Sequence, residues 1–525
     1  MKNRFIYMYC SIVLLAVVLW GCDNEFVAPT SEPNHFTAVV SEENFANTVQ
    51  VNGDIDFADL SRGVVTRTWT FPEGVVDIID AEDDVTSAER KVKAVFLQPG
   101  DHEVTLHLEF AGDAWLEDQQ VGTVIDTTYT VHVIDSVRSS FTAQEFLFDG
   151  SQGAVVGIGN NQSANNKIEA GGSIMFTATS LGEPGEHTWI FPGGDPAEFT
   201  PTPQNNGETI EIKYKRLGVY PVTLVSSRAR PEGADTLVYQ DMIEIIPSTA
   251  PVLVDKAYVT ADGKIALDFS REIQNPAFEG PNFTVTIENE GRTITPEIGA
   301  VTRHNNFNNI VYLELANETL YNSDQVTVDY AQGTLTSSDF YLVDNFSDTE
   351  VRPYLVNSFV GTTFDYSFES GDANNWPKSG WGAPFENSDF TFNFSSAVVQ
   401  AGALSGHMTI DADKGGAISP QGTFNLEGGA RYLIDMSLNF VSVGDGSDNI
   451  EFHFYSFPTT DWGVPGVSVG AGAPTGEWIN RSVVFTAAGS SDASSFVFRA
   501  FNPNNSQQVE FYLDNLQLVK LDERP

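Results

Sequence analysis

Part of this chain occurs twice, and that repetition limits its fold more than any other feature. Trp69, Thr70, Phe71, Pro72, Glu73 and Gly74 return as Trp189, Ile190, Phe191, Pro192, Gly193 and Gly194, and the run at 99–106 returns at 217–224, about 120 residues later in each case. Two motifs kept in one order at nearly one spacing mean a duplicated structural unit. Both copies alternate apolar and polar residues, as in VTLHLEF at 104–110 and VTLVSS at 222–227, with turn residues between the runs. A period of two sends successive side chains to opposite faces of a strand, so the duplicated unit is β in character.

The tryptophan strand, the Phe-Pro-Gly-Gly turn and the alternation of Gly218, Tyr220, Val222 and Leu224 resemble immunoglobulin-like domains of the polycystic-kidney-disease (PKD) type. The second copy matches better, because the first has Glu73 for Gly193 and His102 for Tyr220. The resemblance implies two sandwiches, 37–136 and 137–248, with Trp69 and Trp189 in their cores and a spacer role. The next segment, 249–350, carries alternating runs joined by Gly and Asn turns and resembles bacterial immunoglobulin-like repeats. His304 lies among Asn305, Asn306, Asn308 and Asn309, which reads as a polar hairpin tip rather than a metal site.

The last stretch, 360–525, concentrates tryptophans in turn-like surroundings. Trp376 and Trp381 sit in FESGDANNWPKSGW among Asn, Pro, Gly and Ser, and Trp462 sits in TTDWGVPG. Between these loops IEFHFYSF alternates Ile450, Phe452 and Phe454 with Glu451, His453 and Tyr455, and FVFRAF sets Phe496 and Phe498 against Val497 and Arg499. The opening FESG, the run Gly476, Glu477, Trp478 and the closing FYLDNLQL resemble the strands of jelly-roll carbohydrate-binding modules over about 364–520. That family commonly joins its first strand to its last through a structural calcium ion, which here implicates Glu369 and Asp514. Calcium takes several hard oxygen ligands, so the pair is an incomplete set. A sugar ring presents an apolar C–H face that stacks on an aromatic plane while its hydroxyls reach polar groups. The glycan-contact candidates are therefore Trp381, Trp462, Trp376, Tyr455, Arg499 and His453, whereas Trp478, within a strand-like run, is expected in the core.

Residues 1–22 read as a lipoprotein signal peptide, with Lys2 and Arg4 before an apolar run and a lipobox-like Leu19, Trp20, Gly21, Cys22. Trp20 departs from the small residue usual there; an ordinary secretory signal is the alternative. Cys10 would leave with the signal, so Cys22 is expected to be the lipidated first residue of a chain with no internal disulfide. Asp23, Asn24 and Glu25 resemble the surface-export signal of Bacteroidetes lipoproteins, and 23–36 reads as a linker. With 27 basic and 71 acidic residues the formal charge is −44, which disfavours nucleic acid and polyanionic glycans. No nucleophile, metal-protease or phosphate-loop motif appears, and no carboxylate pair is marked by motif for glycoside hydrolysis.

The expected fold is thus all-β and multidomain, tandem immunoglobulin-like sandwiches followed by a jelly roll. The architecture resembles Bacteroidetes surface glycan-binding lipoproteins of polysaccharide-utilisation systems. That resemblance implies a non-catalytic binder of a neutral polysaccharide, lipid-anchored at the outer-membrane surface beside a glycan importer and its lipoprotein lid. A surface adhesin or scaffold is the rival reading, and a glycoside hydrolase a more distant one.

Overall fold

The computed structural model describes residues 34–525 except 82, 149, 203–204, 446–448, 461–462 and 471. Cys22 with its signal and lipobox, and Trp462, lie outside the described residues. Among the described residues every regular element is a strand, apart from the 3-10 turns Glu43–Phe45, Gly280–Asn282 and Ala373–Asn375. The chain divides into two compact units, one ending at Ser136 and one spanning Val137–Pro525.

The first unit is a sandwich of a four-stranded and a five-stranded sheet closed over Trp69 and Phe57, both fully buried. Their rings lie 5.6 Å apart. In the five-stranded sheet Trp69 faces Leu106, and the edge strand Thr48–Gln50 runs parallel to the end of Gln119–Ile134. The second copy repeats both details within its own fold. Trp189 faces Leu224, and Lys167–Glu169 runs parallel to the end of Gly233–Ile246. The repeated letters therefore mark repeated register. Gly193 takes a φ of +79°, and a Cβ there would come within 2.2 Å of the Tyr220 ring, so the turn and the ring require each other.

Within the second unit three hydrophobic clusters follow in chain order, centred on Trp189, on Phe269 and Val285, and on Phe440, Phe452 and Phe511. Charged side chains stitch neighbouring sandwiches together. The buried Lys215 ammonium bonds Asp268 at 2.7 Å and lies 3.2 Å from both Asp195 and Asp255. Further along, Arg524 bonds Asp324 at 2.8 Å and Glu318 at 2.6 Å.

The last sandwich carries the candidate site. One sheet orders Phe390–Ser395, Ser405–Ile410, Val509–Leu521, Arg431–Ser442 and Trp478–Thr486. The facing sheet orders Gly415–Ile418, Ser491–Phe501, Ile450–Phe457 and Val467–Val469, with Phe424–Leu426 also on Ser491–Phe501. Alternation fills the space between them with Ile434, Leu438, Phe440, Phe452, Phe454, Phe498 and Phe511. Whatever alternates with these residues faces outward.

Candidate functional site

On the outer face of the second sheet, strand register puts Arg499 between His453 on one side and Ala417 on the other, with Phe501 between Glu451 and Gly415. The segment leading to Phe385 lies over this face. Lys378 bridges Ile418, and the Ser379 N–H donates to the Ala417 carbonyl at 2.8 Å. Two glycines make the close fit possible. A Cβ on Gly415 would come within 2.1 Å of the Phe385 ring, and one on Gly466 within 2.1 Å of the His453 ring.

Trp381 emerges from this segment with 37% of its surface exposed, 5.5 Å from the Tyr455 ring at a 41° tilt. Tyr455 in turn stacks on His453 at 5.6 Å and 10°. Beside the rings Arg499 bonds Glu451 at 3.0 Å and places its guanidinium 5.0 Å from the Phe385 centroid. The Arg499 Nε is buried without a hydrogen-bond partner among the described residues. Burial, and then the Arg499 charge, hold the His453 pKa below its ordinary value. The imidazole is therefore neutral at neutral pH, with one nitrogen to donate and one to accept. Burial raises the Tyr455 phenol, which stays protonated. The result is an aromatic shelf edged by paired donors and acceptors of no net charge.

Three sequence expectations change here. Trp376 is 2% exposed, stacked 4.7 Å from Phe368, and its indole N–H donates to Asp365. It plugs the sandwich end and offers no platform, because Phe364, Phe368 and Phe392 close around it. Tyr455 is 6% exposed, so it supports Trp381 from below rather than presenting its own face. Trp478 is half-buried and stands outside the core cluster, because Ile479 takes the inward place at that point of the strand.

Trp478 instead belongs to a cross-strand row on the outer face of the first sheet, a feature missed in the sequence. Register aligns Asn393, His407, Tyr512, Asn439 and Trp478. His407 stacks on Tyr512 at 4.6 Å and bonds Glu510 at 2.8 Å. The signal was present: Val483 and Phe485 point inward, so an even-numbered residue of the same strand points out.

Glu369 and Asp514 do come together. Asp514 is fully buried; its Oδ2 accepts from the Gln400 and Ala401 N–H groups at 2.7 and 3.0 Å, and its Oδ1 accepts from the Asn515 N–H. Glu369 Oε1 accepts from Ala403 and Leu404 at 2.8 and 3.1 Å. Burial first, with the Glu369 charge contributing, raises the Asp514 pKa. Among the described residues no cationic side chain bonds either carboxylate, and the two feel each other's charge, so as a pair they fit a hard cation. Among the described residues no third His, Cys, Asp or Glu joins them, so other ligands would have to be main-chain carbonyls or water.

No family model matches this chain, and no curated protein matches it. Among solved structures it is similar to a family 16 carbohydrate-binding module, at 17% identity over 30% of this chain and 96% of that one, with a TM-score of 0.20. It is also similar to a family 61 carbohydrate-binding module in complex with β-1,4-galactotriose (13% identity, 31% and 99% coverage, TM-score 0.21). A third is the xylan-binding CBM22-1 domain from Paenibacillus barcinonensis (14% identity, 30% and 94% coverage, TM-score 0.21). The chain covers 23% of an arabinose-bound α-L-arabinofuranosidase, at 11% identity and a TM-score of 0.23. Likenesses of this strength transfer neither ligand nor chemistry.

Proposed function

We propose that this protein is a non-catalytic binder of a neutral polysaccharide, held by the last sandwich on the shelf of Trp381 over Tyr455 and His453. The single observation that carries this reading is the exposed Trp381 indole set above stacked rings with the Arg499–Glu451 pair beside it. Stacking would hold the apolar face of a sugar, and the ion pair and imidazole would take its hydroxyls. Trp462 is a further candidate contact for the same ligand by its sequence alone. The upstream sandwiches, PKD-like in the first two copies, would act as spacers. A lipid on Cys22 would anchor the chain at the outer-membrane surface, where it would pass glycan to an importer and its lipoprotein lid. Glu369 and Asp514 would hold a structural calcium ion, which fixes the 400–404 loop and takes no part in chemistry.

Titration of neutral β-glucan, xylan and mannan oligosaccharides tests the reading. Trp381→Ala, a half-exposed position, is expected to weaken binding by about tenfold or more, the loss of roughly 1.4 kcal/mol, while the fold persists. Unchanged affinity would reject the shelf. The half-buried Trp478, on the outer face of the first sheet, is the second candidate seat, and loss of binding in Trp478→Ala with binding kept in Trp381→Ala would move the site there.

A further inference from the structure

Between the 137–248 sandwich and the one that follows it lies a cavity of about 510 Å³, within the ordinary range of ligand pockets, roughly 300–1,000 Å³. Its walls are fixed. Lys215 bonds Asp268 across the junction, the Glu272 N–H donates to the Lys215 carbonyl at 3.1 Å, and Arg216 approaches Glu272 at 3.7 Å. The charged lining balances, with Lys215, Arg216 and Lys256 set against Asp195, Asp268 and Glu272. Such a lining offers many hydrogen bonds and little net field.

The rim is built on one loop. The Nδ1 of His304 accepts the N–H groups of Asn306 and Phe307 at 3.0 and 3.1 Å, and its ring lies 5.0 Å from Phe307. Phe307, thus held, is 57% exposed at the cavity mouth. Asn308 and Asn309 donate their amide N–H groups to Glu272 and Asp268, and among the described residues their side-chain oxygens make no hydrogen bond. A folded loop that uses main-chain bonds to hold an exposed phenyl ring, next in sequence to two open acceptors that line the same cavity, has the chemistry of a sugar seat.

We propose that this junction is a second saccharide site, taking a neutral sugar unit with one face on Phe307 and its hydroxyls on Asn308, Asn309 and the charged lining. The proposal rests on the reading of the chain as a binder of neutral glycan, and adds a site far along the sequence from Trp381. A long polysaccharide meeting both would be held by avidity.

The test uses the chain beginning at residue 34 and titrates xylohexaose, cellohexaose, mannohexaose and laminarihexaose. Calorimetry is read together with hydrogen-exchange protection of amides 304–310. Expected is a sugar that still protects 304–310 in Trp381→Ala, with Phe307→Ala abolishing that protection and weakening this phase by about tenfold or more. Phe307 lies at an exposed loop tip, so its truncation should leave melting unchanged. If Trp381→Ala removes all binding and all protection at 304–310, the junction site falls and the shelf stands. If Phe307→Ala removes all binding while Trp381→Ala keeps it, the shelf falls and the junction stands. No protection of 304–310 by any of the four sugars overturns the junction site, and no binding heat from any of them overturns the shelf as well.

Discussion

At the scale of single residues, burial decides which aromatic rings and carboxylates are available to a ligand. Trp376 and Trp381 share a loop of the same composition, yet one is 2% exposed and the other 37%. Truncating a tryptophan as buried as Trp376 costs about 3–5 kcal/mol, so binding lost in such a variant would report unfolding rather than contact. Asp514 poses the opposite problem, a buried carboxylate beside another, answered by main-chain N–H groups alone among the described residues. A bound divalent ion would relieve that repulsion and stabilise only the folded state. Calcium at about a hundred times its Kd is therefore expected to add about 2.7 kcal/mol to unfolding, seen as a raised Tm that chelator reverses. Glu369→Gln should lose most of that gain. A Tm indifferent to calcium would remove the ion from this pair.

At the scale of strands and their ends, alternation made much of the fold legible, and crossings between strands hid the rest. The repeat disclosed two sandwiches with a tryptophan in the core of each, and IEFHFYSF showed which side chains of its strand face inward, while the register that sets each tryptophan opposite a leucine came only with the structure. Which outward faces lie bare was not readable, because the 377–389 segment that crosses the second sheet is specified by contacts such as Phe385 on Gly415. The cross-strand row ending at Trp478 depends likewise on register between distant strands, and no single run of residues records it. The C-terminal end is another such contact. Beyond Val509–Leu521 the chain lays Arg524 against Asp324 and Glu318, while Asn322 and Ser323 bond the main chain of Lys520 and Asp522. Burial alone would raise the Asp324 carboxyl, but bonds from Arg524, the main chain and Asn289 hold it below its ordinary 3.8. A carboxylate lowered by folding stabilises the protein above its unfolded pKa and loses that contribution as pH falls through the folded value. Arg524→Ala should therefore cost about 2 kcal/mol at neutral pH, with the gap closing only in acid, below about pH 4. A gap of the same size at pH 2 and pH 7 in thermal melts would show that this ion pair is not its source.

At the scale of the whole molecule, a formal charge of −44 selects the kind of glycan that can approach. The candidate contacts themselves are locally balanced, Arg499 with Glu451 on the shelf, and Lys215, Arg216 and Lys256 with Asp195, Asp268 and Glu272 around the junction cavity. An uncharged chain feels neither the global field nor the local pairs as net charge, so salt has little to screen. Its affinity is expected to change by less than about twofold between roughly 0.05 and 0.5 M sodium chloride, although the screening length shortens several-fold over that range. A polyuronate such as polygalacturonate has to come in against the field. Any binding it shows should be weakest at low salt and strengthen as salt rises, opposite in sign to the usual loss of charge-driven association. Tight binding of polygalacturonate at low salt that weakens as salt is added would mean that a basic patch outside the shelf governs recognition, and the assignment of a neutral ligand would then fail.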